Sequence, residues 1–315
     1  MTASLPLHKS LVVGATGFVG KVLCKQLQAE SVHVRALIRK EQKGDWNEAV
    51  VADLENFQQQ EAKIFEGIDT IYYLASIAHN KAPASEYQKI NVDCCLAFAK
   101  SAIKNGVKRF IYVSSTKAMA EPGDQIADET FTAKPKDKYG LSKRQAEEGL
   151  LALSGFEHLV IVRPCLIYGA GVQGNLYTMM NMIANDMVPA LPETNARRSM
   201  ISVTDVARAL IAVSKNPKAN RQIYILTDDQ PYSVNAIEKT MRQQLGKKSP
   251  RFKIPAFVFE LAKNIPVASL VVEKLSKSAL YSSHKIEREL NWHPTQVFTQ
   301  VLPEMVEAYR SGMES

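Results

Sequence analysis

The 315-residue chain has few cysteines and no long apolar run, and both shortages narrow what it can be. Its four cysteines, Cys24, Cys94, Cys95 and Cys165, lie among apolar neighbours at spacings that suit no metal site. They read as buried free thiols of a reducing compartment, and no metal centre is expected. No apolar stretch reaches the roughly 20 residues that span a bilayer. The nearest, PAFVFELAKNIPVASLVVEKL at 255–275, is broken by Glu260, Lys263, Asn264 and Pro266. The opening MTASLPLHKS lacks a basic region followed by an apolar core, so no secretory leader is expected and a cytoplasmic protein is. Repeats and low-complexity linkers are absent as well. An excess of positive charge is present but thin: +7, from 39 basic and 32 acidic residues, scattered except for short clusters such as KPKDK and GKK. That scatter argues against a nucleic-acid surface and suits an enzyme with anionic ligands. The composition, 46% hydrophobic and 23% charged, is that of a globular protein rather than a disordered one.

What is present is an alternation of strands and helices through the first half. KSLVVGA, VHVRALIR, AVVADL (49–54), DTIYYLAS, RFIYVSS (109–115) and HLVIVRP read as strands. FVGKVLCKQLQAE, a stretch over 86–105 that stops at Gly106, and a segment beginning near Tyr139 read as helices between them. Strands this apolar, separated by helices, imply a parallel sheet covered on both faces, which is the Rossmann-type doubly wound α/β architecture. After Pro164 the rhythm changes. GNLYTMMNMIANDMV and DVARALIAVSKN read as helices, ALPETNARRSMISV as loop and strand, RQIYILTDD as one more strand, and the last 85 or so residues as mostly helical. The expected organisation is a dinucleotide-binding domain over 1–165, with segments around 200–228, and a smaller, discontinuous substrate lobe from 166–199 and 229–315.

GATGFVG (14–20) sits between the first strand and the first helix. A dinucleotide needs a tight turn, close backbone approach to the pyrophosphate and close helix–sheet packing at this point, and Gly14, Gly17 and Gly20 meet those needs. The three-apart spacing is not the usual G-x-G-x-x-G, so the strand before and the helix after carry the assignment. About 20 residues further on, where an acidic residue usually holds the ribose of NAD, the chain has Arg39, with Arg35 on the same strand. Arginine pairs with a 2′-phosphate, which favours NADP over NAD. Asp53, at the end of VADL, is placed to accept from an adenine amino group.

GxxGxxG, ADL, YYLAS, YVSS, YGLSK and VRPCLIYG occur in that order over nearly the whole chain. This order resembles the extended short-chain dehydrogenases/reductases, in particular the NAD-dependent epimerase/dehydratase group that acts on nucleotide sugars, with the UDP-glucose 4-epimerase-like subgroup nearest. The resemblance implies a catalytic serine, tyrosine and lysine at Ser115, Tyr139 and Lys143, with Ser114 and Thr116 as neighbours that leave the serine open by one residue. It implies dinucleotide contacts at Thr16, Phe18 and Val19 beside the three glycines, at Leu54, at Leu74, Ala75 and Ser76 of YYLAS, at Lys143 through the nicotinamide ribose, and at Pro164. It also raises a homodimer packed through helices of the first lobe.

The chemistry is coherent without that likeness. A hydride moves between carbon and nicotinamide while a proton moves between oxygen and the enzyme, and the proton carrier works best with a pKa near the working pH. A free tyrosine, near 10, is too weak an acid. A nearby ammonium lowers that value, and a spacing of four puts Tyr139 and Lys143 on one helix face. A serine at the adjacent strand end can hold the substrate oxygen. YSSHK at 281–285 repeats the spacing, but without a serine-ended strand before it or a link to the glycine loop, and reads as structural.

For the substrate, the resemblance puts Asn175 and Arg198 on a diphosphate, Asp205 at a helix cap, Ser202 where relatives carry histidine, and Ser115, Thr116 and Lys117 beside the sugar. A cationic fork suits a diphosphate. The expectation is an NAD(P)-dependent oxidoreductase that reduces, or epimerises through, a 4-keto UDP-hexose. Two alternatives are an NADPH-dependent reductase of a small carbonyl compound, dihydroflavonol-reductase-like, which would need no diphosphate clamp, and a non-catalytic NADP-sensing regulator, which would not need the retained Tyr139–Lys143 pair.

Overall fold

The computed structural model describes residues 8–77, 82–187, 195–248 and 277–312. The apolar stretch 255–275 and the first seven residues of the leader reading lie outside the described residues, as does the helical reading of 249–276. Strands β1 (Lys9–Val13), β2 (His33–Ile38), β3 (Glu48–Val51), β4 (Thr70–Tyr73) and β5 (Arg109–Val113) alternate with helices α1 (Phe18–Ala29), α2 (Glu61–Phe65), α3 (Ala84–Tyr87) and α4 (Cys95–Lys104). A π-helical segment, Gln88–Cys94, joins α3 to α4. Then follow β6 (Gly123–Ala127), α5 (Lys138–Ala152), β7 (His158–Pro164), β8 (Leu166–Tyr168), α6 (Asn175–Ala184), β9 (Arg197–Ser202), α7 (Val203–Lys215), β10 (Ile223–Leu226), β11 (Pro231–Ser233) and α8 (Val234–Gln244). Strand β12 (Ala279–Tyr281) and the helices His284–Leu290 and Phe298–Ser311 close the described chain.

Seven strands form one parallel sheet in the order β10-β7-β5-β4-β1-β2-β3. Their side chains alternate between two cores because successive strand residues point to opposite faces. Val12 and Tyr72 face a cluster with α1 and α7, while Leu11, Val13 and Tyr73 face a cluster with α2, α4 and α5. Both faces are covered, which is why these strands read as unbroken apolar runs. The chain builds β1, β2 and β3 outward and then crosses to β4 on the other side of β1. The strand order therefore reverses between β1 and β4, and a crevice opens there at the carboxyl ends of the strands, the position where such sheets take ligands.

A second, five-stranded region lies beyond. Strands β11, β9, β12 and β6 pair in that order, and β8 pairs with β9. Strand β6 is not among the strands expected from the sequence. Its segment GDQIA exposes its three central residues, and its partner β12 is far away in the chain, so no local alternation marks it. A third core packs Tyr168, Leu176, Met180, Met200, Met241, Phe298 and Met305 together, uniting β8, α6, β9, α8 and the helix Phe298–Ser311. Here Met180 of α6, with Met179 partly buried beside it, fills irregular space between helices.

One cap differs from expectation. Ser202, not Asp205, caps α7, its Oγ accepting from the Asp205 N–H at 2.9 Å. The buried Asp205 carboxylate instead accepts from the backbone N–H groups of Thr295 and Gln296, each at 3.0 Å, and pairs with Arg208. It pins the loop before the last helix onto α7. All four cysteines are buried and unbridged. Among the described residues no helix is long and apolar enough to cross a membrane, and no three His, Cys, Asp or Glu side chains converge as a metal site needs.

Candidate active site

The crevice is lined first by the glycine loop. Gly14 has φ +92°, and a Cβ there would stand 3.0 Å from the Ala75 nitrogen, so the backbone of 74–75 lies directly against it. A Cβ on Gly20 would meet the Gly14 carbonyl oxygen at 2.1 Å. The first turn of α1 therefore packs backbone to backbone on the loop. Gly17 stands at the N-cap without a side-chain cap, which leaves the first N–H groups of α1 for an anion. This cradle fits a dinucleotide pyrophosphate. Replacing Gly20 by alanine forces α1 off the loop. Overpacking of this kind costs about 1–3 kcal/mol, so Gly20→Ala should lower the melting temperature by roughly 5 °C. Adding NAD or NADP should no longer raise it in a thermal-shift assay.

Around the cradle stand Thr16, Phe18 and Val19, each partly buried, and Leu74, Ala75 and Ser76 at the end of β4. Pro164 ends β7, buried. Arg39 and Lys40 follow β2, both exposed. Arg35, by contrast, is buried in structural work. Its Nε donates to Glu48 at 2.9 Å, and its Nη1 donates to the carbonyls of Lys63, Ile64 and Glu66, closing the end of α2. At 3% exposure it is not presented to a 2′-phosphate. Asp53 is exposed after β3 and accepts from the Glu55 N–H at 2.9 Å; Leu54 beside it is partly buried.

Helix α5 brings the next group. Asp137 caps it, accepting from the Gly140 N–H at 2.9 Å. The buried face of α5 carries Ser142, Lys143 and Glu147 among its apolar residues, an arrangement that an ordinary solvated or core-packing helix would not hold. Gly140 lets α5 come close to the turn after β5, since a Cβ there would lie 2.2 Å from the Lys117 carbonyl oxygen. That approach brings the Tyr139 phenol near Ser115 and Ser76, whose hydroxyls both work to lower its pKa. Ser115 is thus the serine that meets the tyrosine. Ser114 is buried, with its Oγ unpartnered among the described residues, and the Thr116 hydroxyl works to lower the pKa of the Tyr281 phenol.

Lys143 is 1% exposed. Its Nζ donates to the Val113 carbonyl at 2.7 Å and lies 4.3 Å from the centre of the Tyr112 ring. Burial drives its pKa down to about 8, against the pull of Cys95 and Glu147. Burial likewise pushes the Tyr139 phenol up to about 12; Ser115 lowers it and Asp137 raises it. Burial dominates the Tyr139 pKa in this arrangement, with the Lys143 ammonium held against Val113 and Tyr112. Glu147, on the same face, forms a bidentate pair with Arg163 of β7 at 2.9 and 2.5 Å, both side chains fully buried.

Asn91, on the π-helical segment, went unnoticed in the sequence. Its Oδ1 accepts from the Ile77 N–H at 2.8 Å, and its Nδ2 donates to the Ile77 carbonyl at 3.1 Å and to Ser142 Oγ at 3.0 Å. It fastens the chain after Ser76 to α5 within one turn of Tyr139. A buried polar residue inside a helical run leaves no periodic signal by which to find it. The YSSHK pair splits in two. Lys285 is structural, donating to Gln222 at 2.9 Å and to the Ile223 carbonyl at 3.1 Å, while Tyr281 borders the Ser115 turn. Asn175 opens α6, exposed, and Arg198 lies on β9 in the second sheet.

The match to known proteins agrees with this geometry. Residues 10–226 fit the model of the NAD dependent epimerase/dehydratase family. A UDP-glucose 4-epimerase of Vibrio cholerae is 28% identical over 312 residues, covering 95% of this chain and 94% of its own. An N-acetyl-α-D-glucosaminyl-diphospho-ditrans,octacis-undecaprenol 4-epimerase of Escherichia coli O157:H7 is 26% identical, covering 88% of each chain. Among solved structures, MoeE5 in complex with UDP-glucose and NAD superposes with a TM-score of 0.78 at 19% identity, over 97% of this chain and 99% of that one. With its glycine cradle at the β1–β4 crevice and a family match that runs from β1 to β10 of the seven-stranded sheet, the chain belongs to the NAD dependent epimerase/dehydratase family.

Proposed function

We propose that the protein is an NAD(P)-dependent oxidoreductase that acts at carbon 4 of a UDP-hexose, epimerising through the 4-keto sugar or reducing it. The observation that carries this reading is the close approach of α5, at Gly140, to the Ser115 turn, which sets Tyr139 beside Ser115 next to a dinucleotide cradle. The relatedness to 4-epimerases over almost the full chain supports the position of attack. NAD(P), held on the 14–20 loop, supplies the hydride chemistry when bound.

The chain's own residues handle the proton and the orientation. Tyr139 takes a proton from the sugar hydroxyl as it becomes a ketone and returns it on reduction. Ser115 holds that oxygen at hydrogen-bond distance from the phenol. Lys143 keeps a positive charge beneath the site, and Asn91 holds Ile77 and Ser142 so that Ser76 and Tyr139 keep their places. Arg198, on the neighbouring sheet, anchors the diphosphate. Inversion at C4 returns hydride to the opposite face of the same carbon, so the ketone turns over while this anchor stays fixed.

Turnover of UDP-glucose, UDP-N-acetylglucosamine and their 4-keto forms, with each cofactor, tests the reading. Interconversion of C4 epimers, or reduction of the 4-keto sugar, is the expected result. A protein that turns over none of them, and whose melting temperature no UDP-sugar raises, refutes it. Arg39 favours a 2′-phosphate, so NADP(H) should bind more tightly than NAD(H), and Arg39→Ala should remove that preference with about a tenfold loss for NADP(H). Tighter NAD(H) binding by the unmodified protein would exclude this role for Arg39.

A further inference from the structure

Three parallel strands of the second sheet begin at one edge. Ala279 of β12 pairs with Gly123 of β6 and with Arg198 of β9. This puts Glu121, just before β6, Lys277, just before β12, and Arg198 side by side. Ser278 ties the edge together, donating to Asp124 Oδ1 at 2.5 Å and accepting from the Arg197 N–H at 3.2 Å. Lys117 reaches the same place from the turn after β5. Its Nζ forms an ion pair with Glu121, and its backbone N–H donates to Ser115 Oγ at 3.2 Å. Tyr281, whose phenol responds to Thr116 and to the charges of Glu121 and Arg198, joins this edge to the Ser115 turn. Partial burial works to raise the Glu121 carboxyl, yet Lys117, Arg198 and Lys277 together hold it below the usual range.

A carboxylate is out of place at a corner that is to receive phosphates. We propose that Glu121 is an internal counter-anion: it occupies the cationic corner formed by Lys117, Arg198 and Lys277 until a phosphate-bearing ligand displaces it, and so sets how strongly that corner takes anions. The assignment of the ligand as a sugar diphosphate rests on the function proposed above. The device keeps the cations gathered beside Ser115 in the absence of substrate and makes weakly charged anions poor competitors. Opposite charges a few ångströms apart near a protein surface attract strongly enough for the loss of one to change binding severalfold.

The test is titration of the full-length protein and of Glu121→Gln with inorganic pyrophosphate and, separately, with UDP. At low ionic strength the variant should bind pyrophosphate about five- to tenfold more tightly. The gain should disappear near 1 M salt, where the screening length falls to about 3 Å. Lys117→Met, which removes a cation and leaves the carboxylate, should weaken binding. Equal or weaker pyrophosphate affinity in Glu121→Gln overturns the proposal, as does the absence of pyrophosphate binding by both proteins. If pyrophosphate behaves as expected but UDP binds no better than pyrophosphate, the counter-anion stands and the uridine nucleotide reading falls.

Discussion

Tyr139→Phe should lower turnover by about 10²- to 10⁴-fold, the usual worth of a positioned general acid or base, while dinucleotide binding and melting temperature stay near those of the unmodified protein. Phenylalanine keeps the ring, which packs against Tyr87 at 6.3 Å between centroids. Loss of activity without loss of stability separates a chemical role from a structural one. The pH dependence has a definite sign. Burial holds the phenol protonated, with a pKa of about 12, so at neutral pH the ionised fraction in the free protein is roughly one part in 10⁵. Tyr139 therefore rests as an acid. Oxidation of the sugar hydroxyl needs it as a base, so the rate of that half-reaction should rise as pH rises through the neutral range, and the residual rate of Tyr139→Phe should not. Equal pH profiles for the two proteins, or turnover in the variant within a few-fold of normal, would remove Tyr139 from the chemistry.

The parts of this protein that were legible beforehand are those in which burial imposes a pattern. Strands such as β5 and β7, covered on both faces, are apolar through most of their length. The glycine loop was legible because backbone contacts as close as that of Gly20 on Gly14 tolerate no side chain. Spacing alone could not separate Tyr139–Lys143 from Tyr281–Lys285. What separates them is that Lys143 lies fully buried under β5 while Lys285 bonds Gln222 at the rim of β10. The second sheet escaped because its strands are short and its pairings join distant segments, so no stretch of sequence carries the information by itself. Arg35 shows the converse. Its position suggested a ligand for phosphate, yet its guanidinium is already committed to three carbonyls and Glu48. The roles of Asn91 and Glu121 depend on what lies across from them, which no single segment encodes.

The largest effect on stability should come from the buried pair of Glu147 and Arg163. Both side chains are about as inaccessible as a core leucine, and the pair is bidentate. Removing one member strands the other charge in the interior, which typically costs about 3–5 kcal/mol. Glu147→Leu or Arg163→Met should therefore lower the melting temperature by roughly 10 °C or more. The double variant should recover much of that loss, because a well-packed apolar pair is often as stable as the ion pair it replaces. The pair also bears on the active site. Glu147 lies one helical turn from Lys143 and favours its ammonium form, opposing the burial that drives its pKa down to about 8. Without that carboxylate the lysine should lose its proton at a lower pH. The linkage to stability runs the same way: a lysine with a depressed folded pKa opposes folding most while it remains charged, and the penalty is relieved as pH rises from about 8 toward 10.5. In the double variant that relief should begin at lower pH, and the activity that depends on the ammonium should fall off earlier on the alkaline side. Measured together, a restored melting temperature and an acid-shifted alkaline limb would assign the pair a positioning role for Lys143 as well as a structural one. A restored fold with an unchanged pH profile would leave it structural alone.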